Sequence, residues 1–177
     1  EDPEKVFVIT FDDGYVDNFI QAKPLLEKFD APATIFITSG QIGSKQEFWW
    51  DDLARIFLIQ PKLPDRLEMT FREQNYSWNF ESQRPTNTDD LKWNVLELSQ
   101  LSTRQKAYLE ILELIKNSSP LERDQIIVFL YQWSNVDSNG RSNFQAMDEK
   151  ELNRLVENGL IKVGAHTQTH ITLSKVE

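Results

Sequence analysis

Three short runs rich in apolar and β-branched residues lie near the two ends of the chain. They are residues 6–10 (VFVIT), 32–38 (PATIFIT) and 160–165 (LIKVGA). Such runs are typical of strands buried on both faces of a parallel sheet. Helical patterns at residues 21–30 and 149–158 precede the second and third runs. The alternation of strand and helix predicts an α/β fold with a parallel sheet.

The middle of the chain has a different pattern. Residues 48–59 (FWWDDLARIFLI) have the character of a helix. The segments 67–71 and 76–80 flank the polar stretch REQN and predict a β-hairpin. Residues 134–144 (SNVDSNGRSNF) are polar and predict a linker, because they offer little to bury.

Three capping boxes mark the starts of further helices. In a capping box, the N-cap residue and the residue three positions later each accept a hydrogen bond from the other's backbone N–H. The pairs are Ser102 with Gln105, Ser119 with Glu122, and Asp148 with Glu151. The first two pairs predict two helices in the middle of the chain, and the third predicts the helix before the last strand.

Composition and charge limit the partners and the kinds of metal site that this chain can have. The 177 residues carry a formal charge of −9, which repels polyanions and argues against a nucleic acid partner or an anionic membrane surface. The absence of cysteine excludes disulfides and thiolate metal sites, and leaves the compartment open. No segment reaches the length of a transmembrane helix or has the pattern of a signal peptide. A start at Glu1 and an end at LSKVE lead us to expect a piece of a longer protein.

Side chains that can bind a metal ion or act as a base follow two of the predicted strands. Asp12 and Asp13 come after the first strand, and His166 and His170, the only two histidines, come after the last one. Each pair alone has an ordinary interpretation, an Asp-Gly turn or a solvated loop. Together they are more informative, because the carboxyl ends of parallel strands meet at one functional face. One carboxylate and two imidazoles would form a three-ligand divalent-metal site, leaving the other carboxylate as a base.

Other catalytic motifs fit the sequence less well. HTQTH, residues 166–170, lacks the glutamate of an H-E-x-x-H protease. The acids of FDDG are adjacent, whereas a haloacid-dehalogenase-type phosphatase separates them by one residue. A G-x-S-x-G motif, which a serine hydrolase of the α/β type would carry, is absent.

The two motifs, TFDDG at residues 10–14 and HTQTH at 166–170, resemble the first two motifs of the polysaccharide deacetylase family, the NodB-like carbohydrate esterases. The surrounding segments PLLEKFDAPATIFIT and ELNRLVENGLIKVGA also resemble it, so that the likeness covers roughly residues 5–43 and 144–177. Ile171 departs from the family, which usually has proline there.

The resemblance implies a fold and a division of the chain. The expected fold class is α/β, a distorted, incomplete (β/α) barrel of the polysaccharide deacetylase type with a helical insertion. Residues 1–45 and 143–177 would form the first part of the catalytic barrel, and residues 46–142 an insertion of helices plus a hairpin. This insertion resembles, less specifically, inserts of bacterial deacetylases linked to envelope glycan assembly.

The resemblance also implies roles for the candidate residues. Asp13, His166 and His170 would bind a divalent metal ion, most commonly zinc, and Asp12 would be the general base. The substrate would be an acetylated carbohydrate, whose N-acetyl or O-acetyl group is hydrolysed. A non-catalytic carbohydrate-binding or interaction module on the same fold is the alternative. A hydrolase of another bond, such as a small cyclic amide, is a weaker one.

Two further expectations concern the rest of the molecule. The family's later motifs, among them an Arg-x-Pro-aromatic segment and a Leu-x-His segment, have no counterpart here. We therefore expect an incomplete catalytic fragment, with possible self-association through its truncated side. The five tryptophans are expected mainly in the core, with one of the adjacent pair Trp49 and Trp50 lining a groove.

Overall fold

The computed structural model describes residues 7–80, 93–96 and 98–172. In chain order, the strands and helices are β1 (Ile9–Phe11), α1 (Lys23–Lys28), β2 (Ala33–Ile37), α2 (Trp49–Ala54), β3 (Arg66–Phe71), β4 (Gln74–Asn79), α3 (Thr103–Lys116), α4 (Pro120–Ser134), α5 (Glu149–Leu155) and β5 (Ile161–Ala165). No helix among these residues is both long and apolar enough to cross a membrane.

The chain forms two compact units. The first consists of the chain up to Phe48 and from Asn139 onward, and the second is Trp49–Ser138. The first unit holds β1, β2 and β5 with α1 and α5, whereas the second holds the β3–β4 hairpin with α2, α3 and α4. The assignment of these parts to a barrel core and an insertion stays a prediction.

A three-stranded parallel sheet organises the first unit. Its strand order is β1-β2-β5, with Ile35 of the central strand level with Phe11 on one side and Val163 on the other. Because the strands are parallel, their carboxyl ends lie at one edge of the sheet. The α/β prediction with a parallel sheet is confirmed. Within the described residues the sheet is open, so the barrel itself stays a prediction.

The two outer strands of this sheet, β1 and β5, have no second strand partner among the described residues. Directly before β1, Phe7 and Val8 are 84% and 78% exposed. An apolar strand edge of this kind is a surface to which another strand can add. Self-association through it nevertheless stays a prediction.

The helix starts follow the local sequence closely. All three capping boxes are formed, and in the first the Ser102 Oγ accepts from the Gln105 N–H at 3.3 Å while the Gln105 side chain accepts from the Ser102 N–H at 2.9 Å. Two helices carry a π-helical turn that the sequence did not predict, Asn18–Ala22 before α1 and Arg55–Ile59 after α2.

The end of α5 was predicted wrongly. The helix stops at Leu155 and not at residue 158. Asn158 explains the difference, because its side-chain oxygen accepts a hydrogen bond from the Leu160 N–H at 3.1 Å and its amide donates to Glu27 at 2.7 Å. Such a local side-chain bond competes with the helical backbone ladder.

The hairpin of the second unit is confirmed, but its turn is shorter than predicted. Phe71 pairs with Gln74, so only Arg72 and Glu73 form the turn, with φ of +48° and +64°. Two positive φ values are typical of a type I′ turn, which usually contains Asn or Gly. The Arg72 side chain bonds the Glu122 carboxylate at 2.8 and 2.9 Å, and this contact holds the turn.

Each unit has its own hydrophobic core. Ile35, Met147, Leu155 and Ile161 are fully or almost fully buried in the first. The core of the second joins the hairpin to its helices and includes Trp78, with Trp49 and Trp133 packed against it. The expected core role is confirmed for Trp78, whereas Trp49 and Trp133 are only partly buried against this core. A groove lined by Trp49 or Trp50 stays a prediction.

Two paired segments of the first unit, residues 45–47 and 140–145, connect it to the second unit, and we call this pair the neck. Glu47 and Gln145 form an antiparallel bridge, and the Gly140 N–H donates to the Lys45 carbonyl at 3.1 Å. The carboxylate of Glu47 is fully buried and accepts from the Arg141 guanidinium at 2.6 and 3.0 Å and from the Arg141 backbone N–H at 2.7 Å. These bonds lock the two crossing segments together.

Candidate metal centre

A tight turn after β1 presents the two adjacent acids. Asp13 has φ of +70° and Gly14 has φ of +83°, and the Gly14 N–H donates to the Asp12 carbonyl at 2.9 Å. A Cβ at position 14 would lie 3.2 Å from Ile37 atoms and would need this unusual backbone angle, so glycine suits the position. The Asp13 carbonyl accepts from the Thr38 N–H at 3.2 Å. The turn is therefore fixed to the end of β2.

The histidine loop is fixed to the same strand end. The His166 N–H donates to the Ile37 carbonyl at 2.8 Å, and the Ser39 and Gly40 N–H groups donate to Thr167 and Gln168 at 3.1 and 2.8 Å. The segment after β2 thus bonds with the Asp13 turn on one side and with the histidine loop on the other. This backbone arrangement brings together residues that are more than 150 positions apart in sequence.

Several residues of the site have left-handed backbone conformations. Besides Asp13, they are Thr167 with φ of +61° and His170 with φ of +52°. For residues other than glycine this conformation costs about 1–2 kcal/mol each, and β-branched threonine adopts it rarely. Strain of this kind clusters at functional sites, where the surrounding hydrogen bonds maintain it.

The three predicted ligands lie together. The Asp13 Oδ1 is 3.2 Å from the Nε2 of His170 and 3.6 Å from the Nε2 of His166. One potential ligand atom from each residue lies within 4.8 Å of the other two. The side chains are partly buried, with 18% of Asp13, 34% of His166 and 35% of His170 exposed, so solvent contacts all three.

The geometry of these donors fits a divalent cation. The Asp13 Oδ1 is buried and has no hydrogen-bond partner among the described residues. A buried carboxylate oxygen without a partner is costly, and a cation would remove this cost. Two tetrahedral ligands at about 2.1 Å from zinc lie about 3.4 Å apart, close to the two Asp13–histidine separations.

Asp12 is placed differently from Asp13. It is exposed and does not belong to the cluster of three ligand atoms. The turn therefore separates the two carboxylates, one facing the imidazoles and its neighbour left to solvent. The role of Asp12 as a base stays a prediction.

Sequence reasoning missed two residues that shape the site. Thr38 is fully buried, and its hydroxyl lies 3.4 Å from the His166 carbonyl, to which it donates. Gly40 lies so close to the histidine loop that a Cβ there would be 2.4 Å from the Gln168 carbonyl oxygen. The small residues Ser39 and Gly40 directly after a predicted strand that ends at Thr38 were the available signal.

Comparison with known proteins supplies the family. The sequence model described as "Polysaccharide deacetylase" matches residues 1–108, which include Asp12 and Asp13 and end before the histidine loop. A curated relative, "Putative polysaccharide deacetylase YxkH" of Bacillus subtilis (strain 168), is 52% identical over 70 residues, 37% of this chain and 25% of its own length. The chain thus spans about a quarter of that relative. No solved structure matches significantly. The family model covers more than half of the residues of this chain, and the chain therefore belongs to the polysaccharide deacetylase family.

Proposed function

We propose that this protein is a divalent-metal-dependent hydrolase that removes acetyl groups from a carbohydrate. The observation that carries the proposal is the buried, unpartnered Asp13 Oδ1 between two imidazole nitrogens. Family membership supports the deacetylase chemistry. The identity of the ion as zinc, the sugar and any link to envelope glycans belong to the same proposal.

Three residues would hold the ion. Asp13, His166 and His170 supply one carboxylate oxygen and two imidazole nitrogens, a set that leaves coordination positions open. When bound, such an ion polarises the acetyl carbonyl and makes a water molecule more acidic. The hydrogen bonds from Ser39 and Gly40 keep the histidine loop in position before the ion arrives.

Asp12 would act as the general base. Asp12 directly precedes Asp13 in the sequence, and its exposure leaves its carboxylate available to a water molecule. It would take the proton of that water while the oxygen attacks the acetyl carbonyl. The bond from the acetyl carbon to the sugar nitrogen or oxygen would then break, and the proton taken by Asp12 would pass to that nitrogen or oxygen, so that acetate and the free sugar amine or hydroxyl are the products.

The first experiment measures metal binding. We expect about one zinc ion per chain after dialysis, and its loss in Asp13→Asn. Asp30→Asn is a matched control, because Asp30 is an exposed aspartate that also has a left-handed backbone, with φ of +48°. Equal zinc content in both variants would contradict the assignment of Asp13.

The second experiment measures acetate release from acetylated chitooligosaccharides with and without added zinc. Release by the wild type that ceases with a chelator and in Asp13→Asn would support the proposal. Zinc and glycan binding without acetate release would instead support the alternative, a carbohydrate-binding module.

A further inference from the structure

The turn that follows β2 does not use the usual local cap for its first backbone N–H groups. Residues Ser39–Gln41 form a short 3₁₀ turn with Thr38 at its N-cap. A threonine in this position usually accepts a hydrogen bond from an N–H of its own turn, but the Thr38 side chain makes no such bond. The first two N–H groups of the turn donate instead to the carbonyls of Thr167 and Gln168, at 3.1 and 2.8 Å. The histidine loop therefore takes the place of a local cap.

The Thr38 hydroxyl binds the same loop. It donates to the His166 carbonyl at 3.4 Å, so that three successive donor groups of the turn bind three successive carbonyls of the loop. This separation is long for a hydroxyl hydrogen bond. Thr38 is nevertheless fully buried, so water cannot replace its hydroxyl as the donor. The bond reaches a residue that is itself one of the three candidate ligands.

Thr38 also binds the other segment that carries a candidate ligand. Its backbone N–H donates to the Asp13 carbonyl at 3.2 Å. One residue thus contacts the acidic turn through its backbone and the histidine loop through its side chain. Residues that bond with ligands in this way orient them, and changing such a residue typically weakens metal binding about 10- to 100-fold.

We propose that Thr38 is a positioning residue whose hydroxyl fixes His166 relative to Asp13 and so strengthens ion binding at the candidate site. This inference rests on the proposed function for the presence of the ion. The contact with Asp13 uses a backbone N–H that serine or valine would also supply, whereas the contact with His166 needs a hydroxyl. Serine should therefore replace threonine here, and valine, which has nearly the same shape but no hydroxyl, should not.

The first measurement is the zinc affinity of the full chain, determined by competition with a chromogenic chelator. The forms compared are the wild type, Thr38→Val, Thr38→Ser and the control Thr34→Val. Thr34 lies four residues earlier on β2, is half-buried, and is level with Thr10 and Lys162 in the sheet. We expect Thr38→Val to raise the Kd for zinc about tenfold, and the other two variants to stay within about twofold of the wild type.

The second measurement needs no metal and follows amide hydrogen exchange by NMR in EDTA. The Ser39 and Gly40 N–H groups are the reporters, because they bind the histidine loop. The Leu152 N–H, which donates to the Asp148 carbonyl within α5, is the internal reference. We expect Thr38→Val to accelerate exchange of both reporters about fivefold relative to the reference, as the loss of one hydrogen bond would. Thr38→Ser should leave their exchange unchanged.

Several outcomes would overturn the proposal. They are wild-type zinc affinity in Thr38→Val, an equal loss in Thr38→Ser, and an equal loss in Thr34→Val. A lower urea midpoint in EDTA, with zinc affinity and reporter exchange unchanged, would show a structural role only. Thr38→Ala, which also lacks the hydroxyl, is measured in parallel and decides the matter if Thr38→Val does not fold.

The two measurements also separate this inference from the proposed function. If the wild type binds no zinc, the proposed function fails. Faster reporter exchange in Thr38→Val but not in Thr38→Ser would then still support the link between Thr38 and the histidine loop. If the wild type binds zinc and Thr38→Val binds it equally well, the proposed function stands and the role of Thr38 is rejected.

Discussion

Replacing Gly40 by alanine would displace the histidine loop without altering a metal ligand. The new Cβ would lie 2.4 Å from the Gln168 carbonyl oxygen, which belongs to the backbone and cannot rotate away. Reaching the shortest separation that real Cβ atoms show, 3.0 Å, requires a shift of about 0.6 Å. Gln168 stands midway between His166 and His170, so the shift passes to both imidazoles.

The expected effect on metal binding is large. Metal–ligand distances in working sites vary by only about 0.2 Å, a third of the required shift. We therefore expect Gly40→Ala to weaken zinc binding about 10- to 100-fold, the range found when residues that orient ligands are changed. Overpacking should also lower the free energy of unfolding by about 1–3 kcal/mol.

A second substitution, Gly43→Ala, serves as a control that separates this steric effect from backbone strain. Gly43 has φ of +71°, and no heavy atom lies within 4 Å of the place that a Cβ would occupy there. Gly43→Ala therefore costs about 1–2 kcal/mol of strain but should leave zinc affinity within about twofold. Zinc affinity is measured by competition with a chromogenic chelator, and stability by urea unfolding in EDTA. A folded Gly40→Ala protein with wild-type zinc affinity would refute the argument.

Three further predictions concern the base, the neck and a surface ion pair. Asp12→Asn should keep its zinc and lower the rate of acetate release by about two to four orders of magnitude, and an unchanged rate would reject its role as base. Glu47→Ala, which removes the buried partner of Arg141, should lower the free energy of unfolding by about 3 kcal/mol. The control Glu68→Ala removes the exposed ion pair with Arg66 and should cost less than about 1 kcal/mol. Equal urea midpoints for the two variants would contradict this prediction. The hydrogen bond from Arg72 holds the pKa of Glu122 at about 2 instead of 4.5. This carboxylate therefore stabilises the fold above pH 4.5 and loses that effect as the pH falls toward 2, so Glu122→Gln should lose less stability than the wild type over this window. Because the pair is exposed, the difference should be small and should shrink in concentrated salt, and an acid profile identical to that of the wild type would contradict it.

Helix starts were predictable because their determinants are local. Each capping box uses two side chains and two backbone N–H groups within four residues, so the sequence alone specifies it. The end of α5 and the hairpin turn also depend on contacts between distant segments. Besides its local bond with Leu160, Asn158 donates to Glu27, and Arg72 binds Glu122. The contacts with Glu27 and Glu122 exist only once distant segments have packed. Tertiary contacts of this kind decide where elements end.

The sheet topology made it predictable that the candidate site residues would lie close together. Parallel strands place their carboxyl ends at one edge, so residues that follow β1 and β5 had to be neighbours of the end of β2. The left-handed conformations of Asp13 and Thr167 could not be read from the sequence, because neither residue type favours them over ordinary ones. They depend on hydrogen bonds from the segment after β2, whose contribution only the structure reveals.

The neck has an evolutionary consequence. Because the bridge between Glu47 and Gln145 brings the outgoing and returning segments side by side, the stretch Trp49–Ser138 begins and ends at adjacent points of the first unit. A stretch attached in this way can be shortened, lengthened or exchanged by recombination while β1, β2 and β5 keep their order and register. Such changes should leave the acidic turn and the histidine loop in place, because both belong to the first unit.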